Sequence, residues 1–207
     1  MKINNDSFRV EQKAQIKQAL LELINQPDDK TIKPCPTCPP QMGTAINNCQ
    51  SCSPACPYAK QQMSSDPDKY PIEEAILPLV YAFYSLRLTM PCWSCEGHLN
   101  GHGKIFKTPK LWFYSAHEFY PKLLAQYVSG LKSEQKINQH WGIRILPFSQ
   151  SMFTTTYSLE PLESNNEQTN LTSLHQDIQI IAENLREGIF TLANHYIARA
   201  DKSPLNN

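Results

Sequence analysis

The chain has 207 residues, enough for one domain of ordinary size whose hydrophobic core needs no metal or disulfide to fold. Its 19 basic residues balance its 19 acidic residues. Because surfaces that bind nucleic acids or anionic membranes usually carry a basic excess, we expect neither kind of partner. Lys104, Lys107 and Lys110 are the candidates for a local basic patch.

The ends and the apolar runs of the chain bear on its location. Its first residues contain no apolar segment of the kind that a signal peptide needs, so we expect none. The longest apolar run, residues 75–84, contains Pro78 and is too short to span a bilayer. We therefore expect a cytoplasmic protein. In a reducing compartment, seven cysteines favour metal ligands or redox thiols over disulfides.

Hydrophobic periodicity predicts the regular elements in chain order. The predicted helices cover residues 8–25, 71–88, 119–130 and 171–200. The predicted strands cover residues 88–95, 110–115, 141–148 and 153–159, the last two joined as a hairpin. Pro78 is expected to kink the second helix or to mark a later start. Ser115 and Glu118 have the spacing of a capping box for the third helix.

This order of elements predicts an α+β fold, in which a small, mainly antiparallel sheet of about four strands packs with three to four helices. We assign residues 1–70 to an N-terminal helix and a metal-binding arm rich in cysteine and proline, and residues 71–207 to the α+β core domain. Residues 27–71 hold nine of the 16 prolines and five of the seven cysteines. Few large aliphatic side chains lie there, so a bound metal is the expected source of order.

The first cysteine cluster has the spacing of a structural zinc site. Cys35 and Cys38 form one Cys-x2-Cys pair, and Cys49 and Cys52 form another. Two such turns can each present two thiolates to one tetrahedral zinc ion. Pro39 departs from this pattern, because a flexible glycine is expected after the second cysteine of a zinc knuckle.

An overlapping run in the same arm supports an alternative. The pattern Cys49-x2-Cys52-x3-Cys56-Pro57 resembles the last three cysteines and the proline of the bacterial ferredoxin motif. Ile46 stands where the first cysteine of that motif belongs, so a remote cysteine would have to supply the fourth ligand. The resemblance implies an iron–sulfur redox protein and covers nine residues only.

The second cluster lies in the sequence Pro-Cys-Trp-Ser-Cys-Glu-Gly-His at residues 91–98. Two-residue gaps between Cys92, Cys95 and His98 are expected to let a tight turn direct all three donors at one metal, and the fourth ligand is either His102 or Cys56. One interpretation is a structural site that holds the arm against the sheet.

A catalytic interpretation of the second cluster stays open. If the fourth zinc position is free for water, Glu96 is a candidate base and the protein is a small zinc-dependent hydrolase. We exclude two similar motifs. Pro91-Cys92-x2-Cys95 resembles half of the cytidine-deaminase zinc motif, but no His-x-Glu or Cys-x-Glu triplet precedes it. It also resembles a thioredoxin dithiol, but the glycines that follow disfavour the helix this motif requires.

Overall fold

The structure of the chain, a computed structural model, describes residues 6–25, 72–86, 89–115, 117–146, 155–162 and 170–202. Its helices are α1 (Asp6–Ile24), α2 (Leu77–Ser85), α3 (Phe119–Ser133) and α4 (Leu171–Lys202). Its strands are β1 (Thr89–Cys95), β2 (His98–Leu99), β3 (Ile105–Lys107), β4 (Lys110–Ser115), β5 (Trp141–Leu146) and β6 (Thr156–Pro161). In these ranges, no helix is both long enough and apolar enough to cross a membrane.

The strands confirm the predicted α+β class. β1, β4, β6 and β5 form one antiparallel sheet in that spatial order, and β2 pairs with β3 in a separate hairpin. The expected pairing of β5 with β6 is present, with Ile143 opposite Leu159. The cysteine-rich arm, with its predicted site at residues 35–56, lies outside the described residues.

Alternating side chains on β4 explain which face of the sheet is buried. Leu111 and Phe113 have no exposed surface and pack with the helices, where the Phe113 ring lies 5.1 Å from the ring of Phe83 on α2. Buried apolar residues recur every three or four positions along α4 and form the other side of this core. Leu20 and Leu23 of α1 belong to the same core, so the N-terminal helix packs with the elements that follow the arm.

The proline and capping signals at two helix starts can be compared with the structure. α2 begins at Leu77, and Pro78 lies in its first turn. Backbone N–H groups there have no acceptor within the helix, so proline, which lacks an N–H, costs the helix no hydrogen bond. This is the later start that Pro78 was expected to mark. The capping box predicted for α3 is wrong, because Glu118 is the N-cap without a side-chain bond and the Ser115 hydroxyl donates to the His117 carbonyl instead.

A buried carboxylate joins α4 to the connection between α3 and β5. Asp177 has no exposed surface. Its Oδ1 accepts from the backbone N–H and side-chain amide of Asn138, at 2.7 and 2.9 Å. Its Oδ2 accepts from the Gln139 N–H at 2.9 Å and the Trp141 indole N–H at 3.0 Å. These four donors pair with both oxygens of the carboxylate and hold the start of β5 against α4.

We expect Asp177→Asn to lower the free energy of unfolding by about 2–4 kcal/mol. The oxygen of an amide cannot accept all four hydrogen bonds, and the amide NH₂ group would face N–H donors of the protein. Denaturant unfolding followed by circular dichroism measures the change. Glu183→Gln, at an exposed position of the same helix, removes the same charge and should change stability by less than about 0.5 kcal/mol. Equal effects of the two variants would contradict a special role for Asp177.

Close packing between α3 and α4 gives a second test of the fold. A Cβ on Gly188 would lie 2.3 Å from the buried Tyr127 ring, whereas a Cβ on Gly130 would meet nothing within 4 Å. Gly188→Ala should therefore destabilise by about 1–3 kcal/mol through overpacking. Gly130→Ala should stabilise by about 0.5–1 kcal/mol, the usual gain for alanine in a helix. Stabilisation by both substitutions in thermal unfolding would contradict the packing of these helices.

Candidate metal centre

Two carboxylates hold the segment leading into α2 against the connection between β1 and β2. The Glu96 N–H donates to Glu73 Oε2 at 2.7 Å, and the Ala75 N–H donates to Glu96 Oε2 at 2.8 Å. From α4, His175 Nε2 donates to the Glu96 carbonyl at 2.9 Å. These bonds fix the backbone on both sides of Glu96 and leave Glu73 Oε1 for another partner.

Gly97 lets the chain turn sharply from β1 into β2. Its φ of +89° is in the left-handed region that favours glycine. A Cβ at this position would lie 2.8 Å from Leu171 Cδ1 and from Pro109 Cδ, and 3.0 Å from the Lys107 carbonyl oxygen. Because the turn is tight, Cys95 at the end of β1 and His98 at the start of β2 face the same space.

Three side chains of types that can bind a metal converge in that space. His98 Nε2 lies 3.4 Å from Cys95 Sγ and 3.1 Å from Glu73 Oε1. One ligand atom from each of the three residues lies within 4.8 Å of the other two. Cys95 is buried, while the side chains of His98 and Glu73 are 43% and 31% exposed. The group is therefore anchored at its thiol and open to solvent on its other side.

The two separations from His98 Nε2 are close to the edge lengths of a coordination tetrahedron. Zinc bond lengths of about 2.3 Å to sulfur and about 2.0–2.1 Å to nitrogen and oxygen place neighbouring tetrahedral ligands roughly 3.4–3.6 Å apart. The observed separations of 3.4 and 3.1 Å are close to this. Without a cation, both Cys95 and Glu73 approach the same nitrogen of His98, which offers only one hydrogen or one lone pair. A cation between them would satisfy all three groups.

The environment of Cys95 favours a protonated thiol in the absence of a cation. Burial raises the pKa of Cys95, and the negative charge of Glu73 raises it further. A hydrogen bond from the Gly97 backbone and the positive charge of Lys107 act in the opposite direction on this pKa. Metal binding here would therefore release the thiol proton.

Cys92, the other cysteine of the motif, lies apart from this group. The pairing of β1 with β4 shifts between Pro91 and Trp93, which makes Cys92 the extra residue of a β-bulge. Partial burial raises the pKa of Cys92, although a hydrogen bond with Tyr114 lowers it. Raised pKa values at both Cys92 and Cys95 are the opposite of what a reactive redox dithiol requires.

The remaining predicted residues fall into three places. His102 is exposed in the turn between β2 and β3, where its N–H donates to Asn100 Oδ1, and it is not part of the donor group. Glu96 is next to the group, but its Oε2 accepts from the Ala75 N–H. The cysteines of the arm lie outside the described residues: Cys35, Cys38, Cys49, Cys52 and Cys56.

Glu73 is the donor that the sequence did not indicate. Its position before α2 is typical of an acidic residue that favours a helix start, and no spacing links it to the Cys-x2-Cys-x2-His pattern. Only the packing of the two chain segments against each other places its carboxylate beside His98. Comparisons of the chain with known protein families, with curated proteins and with solved structures give no match.

The turn at Gly97 can be tested by adding one methyl group. Gly97→Ala should destabilise the protein by at least about 1–2 kcal/mol, the cost of a left-handed backbone at a residue with a Cβ. Contacts with Pro109 and the Lys107 carbonyl add to that cost. Gly101→Ala is the control, since a Cβ there meets nothing within 4 Å. If urea unfolding shows equal stability for the two variants, the tight turn is not as described.

Proposed function

We propose that this chain is a zinc-binding protein in which Cys95, His98 and Glu73 hold the ion. The observation that carries the proposal is the convergence of a thiol, an imidazole and a carboxylate within 4.8 Å of one another. A group of mixed sulfur, nitrogen and oxygen donors suits zinc, which accepts all three. It does not suit an iron–sulfur cluster, whose usual ligands are four thiolates.

The proposed position of the zinc ion favours a structural role. Glu73 follows the cysteine-rich arm in the sequence, and Cys95 and His98 belong to the strands. A zinc ion bound to all three would fasten the chain, just after the arm, to the end of the sheet. The hydrogen bonds of Glu96 with Glu73 and with Ala75 already hold these two segments together, so the ligands would need little rearrangement to bind the ion.

The exposure of His98 and Glu73 favours a second candidate function, a zinc hydrolase. Three protein ligands leave a fourth position on the solvent side, where zinc can activate a water molecule. Glu96 is the nearby carboxylate, and to act as a base it would have to give up its bond to the Ala75 N–H. We therefore place the structural role first.

Zinc content of ligand variants tests the proposal. Cys95→Ser, His98→Ala and Glu73→Gln should each lose about one zinc equivalent relative to the unchanged protein, whatever the arm binds. The matched controls Cys92→Ser and His102→Ala should keep it, because neither residue belongs to the donor group. Elemental analysis of protein purified without chelator gives the stoichiometry. Full zinc content in Cys95→Ser and His98→Ala would refute this site.

Zinc should also stabilise the fold through the same residues. At free zinc 100-fold above its dissociation constant, linkage adds about 2.7 kcal/mol to the free energy of unfolding. We expect the resulting rise in Tm in the unchanged protein to become smaller in Cys95→Ser and to persist in Cys92→Ser.

A visible absorption spectrum of anaerobically purified protein tests the iron–sulfur alternative at Cys49, Cys52 and Cys56, since a cluster is coloured and zinc is not.

A further inference from the structure

A groove of about 340 Å³ lies between α1 and the last turns of α4. This volume falls within the roughly 300–1,000 Å³ that is typical of pockets for small organic ligands. All the described residues that line the groove belong to these two helices, and none of them belongs to the candidate metal centre. Zinc binding therefore gives the groove no role.

Apolar side chains form the inner part of the groove. Leu20 of α1 lines it and is only 1% exposed, so this residue also belongs to the main core. Ile16 of α1 and Ile197 of α4 line it as well, and both are half-buried and packed against that core. The small side chain of Ala200 borders the same space. An apolar ligand group placed here would be removed from water, which favours its binding.

Hydrogen bonds and a ring contact hold the walls of the groove in place. The Tyr196 hydroxyl donates to Gln126 Oε1 of α3, and the Tyr196 ring meets the Phe119 ring edge to face, with centres 6.0 Å apart. On the other wall, the Tyr120 hydroxyl donates to the Ala19 carbonyl of α1 at 3.2 Å. Both helices that border the groove are thus fastened to α3. A groove that is formed before its ligand arrives loses less free energy on binding.

Three basic side chains line the same groove. Lys13 and Lys17 are four residues apart, so they share one face of α1, and both are half-buried. Arg199 joins them from α4. The stems of lysine and arginine can lie along apolar surface while their charged groups reach water, which places positive charge at the mouth of an apolar groove. No carboxylate belongs to the described lining.

The positive charge remains when the neighbouring acidic residues are counted. Residues 6–20 and 195–202 contain five basic residues and three acidic ones, an excess of two positive charges. The basic residues are Arg9, Lys13, Lys17, Arg199 and Lys202, and the acidic ones are Asp6, Glu11 and Asp201. Glu22, the next acidic residue of α1, accepts a hydrogen bond from Gln18, an exposed residue outside the described lining. This excess favours a negatively charged ligand over a neutral or positive one.

We propose that the groove between α1 and α4 binds a small organic anion that carries an apolar body. The apolar body lies against Ile16, Leu20 and Ile197, and the negative group lies beside the two lysines and Arg199. The site is separate from the candidate metal centre, and the proposal does not depend on zinc.

Equilibrium dialysis of the full chain against 2-naphthoate tests the ligand class. We expect saturable binding of about one equivalent below about 1 mM. Naphthalene-2-methanol, which has the same body without the charge, should bind at least about tenfold more weakly, and acetate, which has the charge without the body, should compete at least about tenfold more weakly. Absence of saturable 2-naphthoate binding, or equal binding of the neutral compound, would overturn the proposal.

Variants of the two helices locate the site. Ala200→Trp fills the groove and should weaken 2-naphthoate binding at least about tenfold, whereas Ala198→Trp, at an exposed position outside the described lining, should change it by less than about twofold. Lys17→Gln should weaken binding about fivefold, and Lys104→Gln, in the turn between β2 and β3, by less than about twofold. Circular dichroism confirms that each variant is folded.

Unchanged affinity in either Ala200→Trp or Lys17→Gln would contradict the proposed site. A lipid surface is the other occupant that an apolar groove with a basic mouth could meet. Sedimentation of the protein with vesicles that contain phosphatidylglycerol, lost in Lys17→Gln, would identify a lipid surface and overturn the proposal of a small ligand. We expect the protein to remain in the supernatant.

Discussion

The two hydrogen bonds that join Glu96 to Glu73 and to Ala75 are the constraint on which the candidate site depends. Two backbone N–H groups, at Glu96 and Ala75, are each satisfied by a carboxylate from the other chain segment. Because both N–H groups are partly buried, breaking either bond carries a cost, and the two segments stay together. One oxygen of Glu73 is thereby held, and its other oxygen is directed to His98.

Helix α4 contacts the same turn and helps to hold it in place. His175 donates to the Glu96 carbonyl, and Asp177, two residues later, accepts four hydrogen bonds from the region that begins β5. The apolar stripe of the same helix lies in the main core. One rigid element thus positions both the turn beside Cys95 and the outer strand of the sheet. Ligands that a rigid scaffold already orients lose little freedom when an ion binds.

The proposed zinc ion would hold the fold together and keep an open side. Its bonds to Glu73 on one side and to Cys95 and His98 on the other would join the end of the arm to the sheet. Its solvent side, next to the partly exposed side chains of His98 and Glu73, would remain available to water. An ion can hold two chain segments together and bind a water molecule at once, because the two roles use different parts of its coordination sphere.

Much of the fold followed from the sequence because its signals are local. Apolar residues every three or four positions predicted α4, and alternation predicted β4 and the pairing of β5 with β6. These patterns follow from the geometry of each element and do not depend on the rest of the chain. The predicted cap of α3 was wrong although the helix begins at residue 119 as predicted, because Ser115 makes a different hydrogen bond, to the His117 carbonyl.

The candidate site followed from the sequence only in part. Residue type and spacing singled out Cys95 and His98, since a thiol and an imidazole separated by a glycine-containing turn can face one point. The same spacing grouped Cys92 with them, but Cys92 lies inside β1 and not in the turn, where residues three apart project to opposite faces, and it is not part of the donor group. Glu73 entered the group through the packing of α2 against the sheet. The sequence by itself determined which chemical groups were available, whereas the tertiary structure decided which of them meet, because contacts between distant segments depend on how the whole core packs.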